Sequence, residues 1–394
     1  MIETIKALAK KFAPEFIDIR HHLHAHPELS YQEFETSNFV QNKLREFGIP
    51  FEIKATTGVV GLLKGKNPDK RIIALRADMD ALPIREANDV SYKSKNEGVM
   101  HACGHDVHTT CLLGAAKILN TLKNEWEGTI KLIFQPGEEK NPGGASLMIK
   151  EGVLENPTPQ AIFGLHVNPQ LETGRLSFRP GMSMASADEL YFTIRGKGGH
   201  AATPHLTADT ILIASQLVVA LQEVISRNRN PFTPSVLSIT SIQGGYTTNV
   251  IPGEVKLMGT FRSLDETWRW QAHELIKKIA TGLVHSMGGE IDVHIDVGYP
   301  AVQNDEKLYV IARKKAEEFI GSDNVEETEV RMGSEDFGYY SQTIPGCFYR
   351  LGTGNKAKGI TSGVHTPTFN IDENAIEIGM GIMAWLGSSV NFPG

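Results

Sequence analysis

Leu190-Tyr-Phe-Thr-Ile194, with the segments Ala208–Ser226, Val236–Ile242, Glu254–Phe261, Glu266–Met287 and Glu290–Val297 that follow it, decides the fold. Leu190–Ile194 reads as a strand, and Ala208–Ser226 carries its apolar residues at helical spacing. Val236–Ile242 and Glu254–Phe261 read as two strands joined through a loop containing glycine and proline. Glu266–Met287 reads as a second helix and Glu290–Val297 as a last strand. The order β-α-β-β-α-β is the split, ferredoxin-like pattern. A unit of that size can fold alone. The sequence therefore predicts an inserted α+β domain over 187–297 and a discontinuous domain built from 1–186 and 298–394.

Working outward, β-branched residues bounded by turn formers mark strands at Val59–Lys64, Ile72–Ala77, Thr129–Phe134 and Ala161–Leu165. Helical patterns at Thr36–Phe47 and Thr109–Lys123 stand among them. This alternation predicts an α/β domain, a central mixed sheet flanked by helices. The 394 residues suit two domains, and 41% hydrophobic with 22% charged residues is a globular composition. A net charge of −7 without basic clusters gives no reason to expect nucleic acid or an anionic membrane as partner. The most apolar stretch, Ile211–Ile225, is interrupted by Ser215, Gln216, Gln222 and Glu223, so no bilayer span is expected. Met1–Phe16 lacks the apolar core of a signal peptide. Three cysteines are too few for a disulfide framework, which points to a reducing cytoplasm.

The densest chemistry is His101-Ala-Cys-Gly-His105-Asp-Val-His108, just before the helix expected from Thr109. Imidazole and thiolate donors suit zinc, nickel or cobalt better than magnesium or calcium. Gly104 would let the backbone bend so that Cys103 and His105 address one centre. The alternatives are a polar loop with a buried cysteine, and Cys103 as a nucleophile served by a histidine base. Other segments weaken the second. Phe134-Gln-Pro-Gly-Glu138-Glu139 places two carboxylates after a strand, Gly164-Leu-His166 places an imidazole at the end of another, and Asp78 and Asp80 follow a third. Open α/β sheets bind ligands at such carboxyl ends, and a thiol protease does not need so many ligands. Successive side chains of an extended segment point opposite ways, so one of Glu138 and Glu139 can bind metal while the other faces water. Gly363-Val-His365 could return a last ligand, although a lone loop histidine is usually just exposed. The opening His21-His22-Leu-His24-Ala-His26-Pro-Glu28 reads as a structural turn near the site without a metal ligand, since His24 and His26 would not share a helix face.

Together these residues resemble the aminoacylase and carboxypeptidase-like metallopeptidase family, in its N-acyl-amino-acid amidohydrolase branch with hippurate and auxin-conjugate hydrolases. The matching segments are Arg20–Glu28, Arg76-Ala-Asp-Met-Asp-Ala-Leu-Pro83, Met100–His108, Phe134–Glu139, Gly198-Gly-His-Ala-Ala-Thr-Pro-His205, Asn249-Val-Ile-Pro252, Gly333-Ser-Glu-Asp-Phe337 and His365. They run through nearly the whole chain in the family's order.

The resemblance implies two divalent metal ions, with zinc expected first and manganese, nickel or cobalt as alternatives. Their ligands would be Cys103, His105, Glu139, His166 and His365, with Cys103 bridging. Glu138 would be the general base and then the acid for the leaving amine, and Asp78 would orient a ligand histidine. The inserted domain would be a lid that also forms a homo-oligomer contact, dimer or tetramer. In that domain His200 would stabilise the oxyanion, in cis or in trans, Asn249 would contact substrate and Arg262 would hold the substrate carboxylate. The implied reaction is amide hydrolysis of small N-acyl amino acids. A metallo-exopeptidase and a catalytically silent binder are the alternatives, and retention of Glu138 beside Glu139 argues against the binder. In two places the chain departs from relatives: Arg76-Ala-Asp78 stands where the wider family has His-x-Asp, and Gly137 and Lys140-Asn-Pro142 replace an alanine and a glycine-rich run.

Overall fold

The computed structural model describes residues 1–392, which fall into two compact units. The first comprises Met1–Gly181, Gln303–Glu329 and the chain from Tyr339 on; the second comprises Met182–Val302 and Val330–Gly338. The second unit thus takes in residues on both sides of 187–297, and a short return segment as well.

In the first unit an eight-stranded sheet runs, in spatial order, Phe51–Lys54, Gly58–Lys64, Thr129–Gln135, Ile72–Asp78, Ala161–Glu172, Gly346–Gly354, Leu176–Phe178 and Val325–Glu327. Four neighbours in its middle, from Thr129–Gln135 to Gly346–Gly354, are mutually parallel, while the Gly58–Lys64 and Leu176–Phe178 pairings beside them are antiparallel. The sheet is therefore mixed. Thr129–Gln135 and Gly346–Gly354 are buried at every residue, as strands covered on both faces must be. Helices Ile2–Ala25, His105–Thr121 and Asn374–Ser389 pack on one another. Their close approach depends on small residues: a Cβ at Gly379 would lie 2.5 Å from Cys111 Sγ.

The second unit is a four-stranded antiparallel sheet in the order Ser235–Gln243, Glu254–Ser263, Asp188–Arg195, Glu290–Val297. Its elements follow the chain as β-α-β-β-α-β. Burial alternates along Asp188–Arg195, so one face packs on helices Thr210–Glu223 and Glu266–Ser286. Both helices begin at an aspartate cap. Asp209 accepts from Ile211 and Leu212 N–H, and Asp265 accepts from Trp268 N–H at 2.6 Å. Ile213, Leu217 and Leu221 from one helix meet Ala272, Ile276 and Val284 from the other in a separate core.

The structure corrects several sequence expectations. Thr210–Asn228 is, by length and composition, apolar enough to cross a membrane, because its few polar residues do not lower the average sufficiently. Its apolar side serves the second core. The histidine-rich opening is helical through Ala25 instead of forming a turn. The helix expected from Thr109 begins at His105, and the strand that carries His166 continues to Glu172. Arg262 lies within its strand, which extends to Ser263.

Candidate metal centre

Parallel strands bring the candidate residues of the first unit together. Asp78 ends its strand opposite Gln135 in the neighbouring one, and Glu138 and Glu139 follow Gln135 after a turn. His166 lies two residues beyond Gly164, which pairs with Arg76. Cys103 and His105 flank Gly104, whose φ of +85° and position 2.6 Å (as a notional Cβ) from Val167 Cγ2 leave no room for a side chain. His365 is a non-glycine residue at φ +61°, held there by its N–H donating to Ala102 O at 2.8 Å. Backbone strain of this kind is common at functional sites.

The donor atoms form two sets that share one atom. Cys103 Sγ is 3.5 Å from His166 Nε2, and with His105 these make one set whose atoms lie within 4.8 Å of one another. Cys103 Sγ is also 3.3 Å from His365 Nε2, which is 3.2 Å from Glu139 Oε1, and these make a second set. His105, Glu138 and Glu139 form a further group within the same limit.

The surrounding hydrogen bonds fix how the imidazoles are presented. His166 Nδ1 donates to Val167 O at 2.8 Å and His105 Nδ1 to Asp80 Oδ1 at 3.1 Å, so each ring in its neutral form presents its lone pair at Nε2. His105 Nε2, 3.9 Å from Glu139 Oε1, is buried without a hydrogen bond among the described residues. Buried polar atoms are normally satisfied, and an orphaned imidazole nitrogen beside a carboxylate oxygen and a thiol is what a cation would satisfy. The charges agree. Burial and Glu139 push the Cys103 thiol up, whereas hydrogen bonds to Cys103 and Glu139 raise His365 to about 10. These groups retain protons that a cation would displace.

Asp78 was expected to orient a ligand histidine, but the structure gives that contact to Asp80. Asp78 Oδ1 instead takes His108 Nδ1 at 2.6 Å, and its Oδ2 takes Arg76 Nη1 at 2.6 Å. Against the cost of burial, Arg76 holds the Asp78 carboxyl well below the usual range. Arg76 is fully buried and also donates to Gln135 Oε1. His108 Nε2 accepts from Val167 N–H, so both its nitrogens are engaged. Asp80 was noted at the end of its strand but given no role in the site. Its signal was present in the alternation Asp78-Met-Asp80, which puts both aspartates on one side of an extended chain. The opening helix stands behind this motif: His24 bonds Asp106 at 2.8 Å and Glu86 at 3.1 Å, and Arg20 Nε bonds Asp106 at 2.9 Å.

The remaining candidates lie in the second unit. His200 pairs with Val250 in a short two-stranded ladder, which places Asn249 beside it, and both are exposed. His200 Nδ1 accepts from Ala202 N–H at 3.0 Å, leaving the ring's proton on Nε2. Half-buried Arg262 donates to Thr260 Oγ1 and Ser334 Oγ, each at 3.2 Å. Asp265 does not pair with it, being the cap of the next helix.

A thiol, imidazoles and adjacent carboxylates gathered along the parallel strands of an open α/β sheet form the donor set of a hydrolase. The chain belongs to peptidase family M20/M25/M40, whose model matches residues 74–386; it is an amide-bond hydrolase. It is 43% identical over 306 residues to the N-acyl-L-amino acid amidohydrolase of Geobacillus stearothermophilus, covering 77% of this chain and 82% of that one. It is 39% identical to thermostable carboxypeptidase 2 of Saccharolobus solfataricus, covering 96% of each chain. The structure superposes with a TM-score of 0.84 on the Bacillus subtilis YXEP protein, described as a dinuclear metal-binding peptidase of the M20 family. That protein is 34% identical, and the match covers 96% of this chain and 98% of that one.

Proposed function

We propose that the protein hydrolyses the amide bond of small N-acyl amino acids, releasing a carboxylic acid and a free amino acid, at a centre for two divalent ions. The observation that carries this reading is the sharing of Cys103 Sγ between two donor sets, Cys103–His105–His166 and Cys103–Glu139–His365. A thiolate can bridge two cations, and the buried, unbonded His105 Nε2 fits a ligand role. The dinuclear description of the Bacillus relative supports the count, and zinc is the first expectation from the thiol and imidazole donors.

When bound, the two ions would supply Lewis-acid polarisation of the carbonyl and acidification of water. Asp80 and the Val167 carbonyl keep His105 and His166 in the tautomer that presents Nε2. Glu138, buried beside Glu139, takes a proton from the attacking water and delivers it to the departing nitrogen. The N–H on His200 Nε2 stabilises the oxyanion, Asn249 contacts substrate, and Arg262, which donates to the Thr260 and Ser334 hydroxyls, receives the substrate carboxylate. Free Cys103 fits a reducing cytoplasm.

The carboxypeptidase relative favours a second reading, exopeptidase action on the same carboxylate-bearing half of the substrate. A panel of N-acetyl amino acids, N-benzoyl amino acids and dipeptides separates the two. Higher kcat/KM on the N-acyl amino acids is expected, and cleavage of dipeptides alone would replace the proposal with the second reading.

A further inference from the structure

Two buried carboxylates grip the backbone on either side of Glu138. The N–H of Gly137 donates to Glu33 Oε1 at 2.8 Å, and the N–H of Glu139 donates to Asp80 Oδ2 at 2.9 Å. Asp80 also bonds His105, which gives it a place in the centre, whereas Glu33 bonds backbone N–H groups and the Thr57 hydroxyl. Glu33 is completely buried just before helix Phe34–Glu46. Its side chain does not cap that helix. It accepts from Tyr31 N–H at 2.8 Å, from Gly137 N–H, and from Thr57 Oγ1 at 2.8 Å.

The same turn supplies a wall for the Glu138 loop. Tyr31, at φ +67°, donates its hydroxyl to Lys140 O at 2.6 Å and accepts from Gly143 N–H at 3.0 Å. Gly137 has φ +55°, and a Cβ there would come within 2.3 Å of the Tyr31 ring. The loop's first residue therefore abuts the ring, and its far end is tied to the hydroxyl. An ordinary loop would leave a catalytic carboxylate several rotamers and backbone positions to sample. This one has its N–H groups fixed from both flanks.

We infer that Glu33 is a positioning residue, which sets the reach of the Glu138 carboxylate by holding Gly137 N–H against the Tyr31 wall. This rests on the reading of Glu138 as the proton carrier. What the geometry uses is an acceptor for two N–H groups, which a carboxamide oxygen also provides. Burial and the charge of Asp80 push the Glu33 carboxyl up to about 7, consistent with a site that does not depend on its negative charge.

The test compares Glu33→Ala, Glu33→Gln and Glu138→Gln in the metal-loaded enzyme, with kcat, KM, metal content and melting temperature measured for each. A misplacement near 1 Å can cost about 100-fold in rate, so Glu33→Ala should lose roughly 10- to 100-fold in kcat, with KM within about threefold and metal retained. Glu33→Gln should recover most of that kcat. In a Glu138→Gln background, adding Glu33→Ala should leave the residual rate nearly unchanged. Wild-type kcat in Glu33→Ala would overturn the inference, as would a Gln variant as slow as the Ala variant. If Glu33→Ala does not fold, Glu33→Asp carries the same expectation, and wild-type kcat in it is equally contradictory. An active Glu138→Gln would instead mark failure of the underlying assignment of the base.

Discussion

Glu138→Gln should fold, retain its metal and lose turnover by roughly two to four orders of magnitude, the usual worth of a general acid–base. Glu139→Gln should instead lose metal. Residue type alone cannot separate the two adjacent carboxylates. The structure distinguishes them by neighbours: Glu139 Oε1 is 3.2 Å from His365 Nε2 and 3.9 Å from His105 Nε2, within the donor set that includes Cys103. Replacing its carboxylate removes one donor of that set, while replacing the Glu138 carboxylate leaves both Cys103-centred sets intact. Elemental analysis with steady-state kinetics on each variant makes the comparison. The reverse pattern, metal lost from Glu138→Gln and turnover alone lost from Glu139→Gln, would exchange the two roles.

Arg262→Ala should lower kcat/KM on N-acyl amino acids by about 2–4 kcal/mol, the cost of breaking a desolvated charge-assisted contact. The guanidinium is half-buried and donates to the Thr260 and Ser334 hydroxyls; burial lowers its pKa, against the pull of the nearby Asp188 and Glu189 charges, so a substrate carboxylate would be a direct charged partner for it. A planar fork can add two parallel hydrogen bonds to a substrate carboxylate, whereas an ammonium cannot, so Arg262→Lys should fall between wild type and the Ala variant. The same argument makes C-terminal amides poor substrates of the wild type. Kinetics of wild type and variants on an N-acetyl amino acid and its amide test this. Equal wild-type rates on the two would remove Arg262 from recognition and leave the metal chemistry standing.

Much of the second unit was legible in its sequence, because each element buries one face and shows it. Glu290–Val297 was read to the residue and the start of Glu266–Ser286 was placed, whereas the first helix, read from Ala208, begins at Thr210 after its Asp209 cap. The first unit was harder. Helix His105–Thr121 starts on glycine in a left-handed conformation with no side-chain cap, inside a segment whose histidines and cysteine look like loop. The strand Gly346–Gly354, central to the sheet, and the closing helix Asn374–Ser389 were not read at all. A fully buried strand has no alternation, and a glycine-rich apolar helix has little contrast between its faces. Among site residues, the donor types were readable locally, since thiol, imidazole and carboxylate declare themselves. Their partners were not: Asp80 facing His105, and Glu33 holding a loop more than a hundred residues away, are consequences of which strands lie side by side.

The most direct measurement of the account is metal content paired with hydrolysis before and after chelation. The purified protein should hold up to two divalent ions per chain, in line with two donor sets sharing Cys103. Chelation should abolish cleavage of N-acyl amino acids, and zinc, manganese, cobalt or nickel should restore it. Full activity in protein shown by elemental analysis to be metal-free would contradict the account.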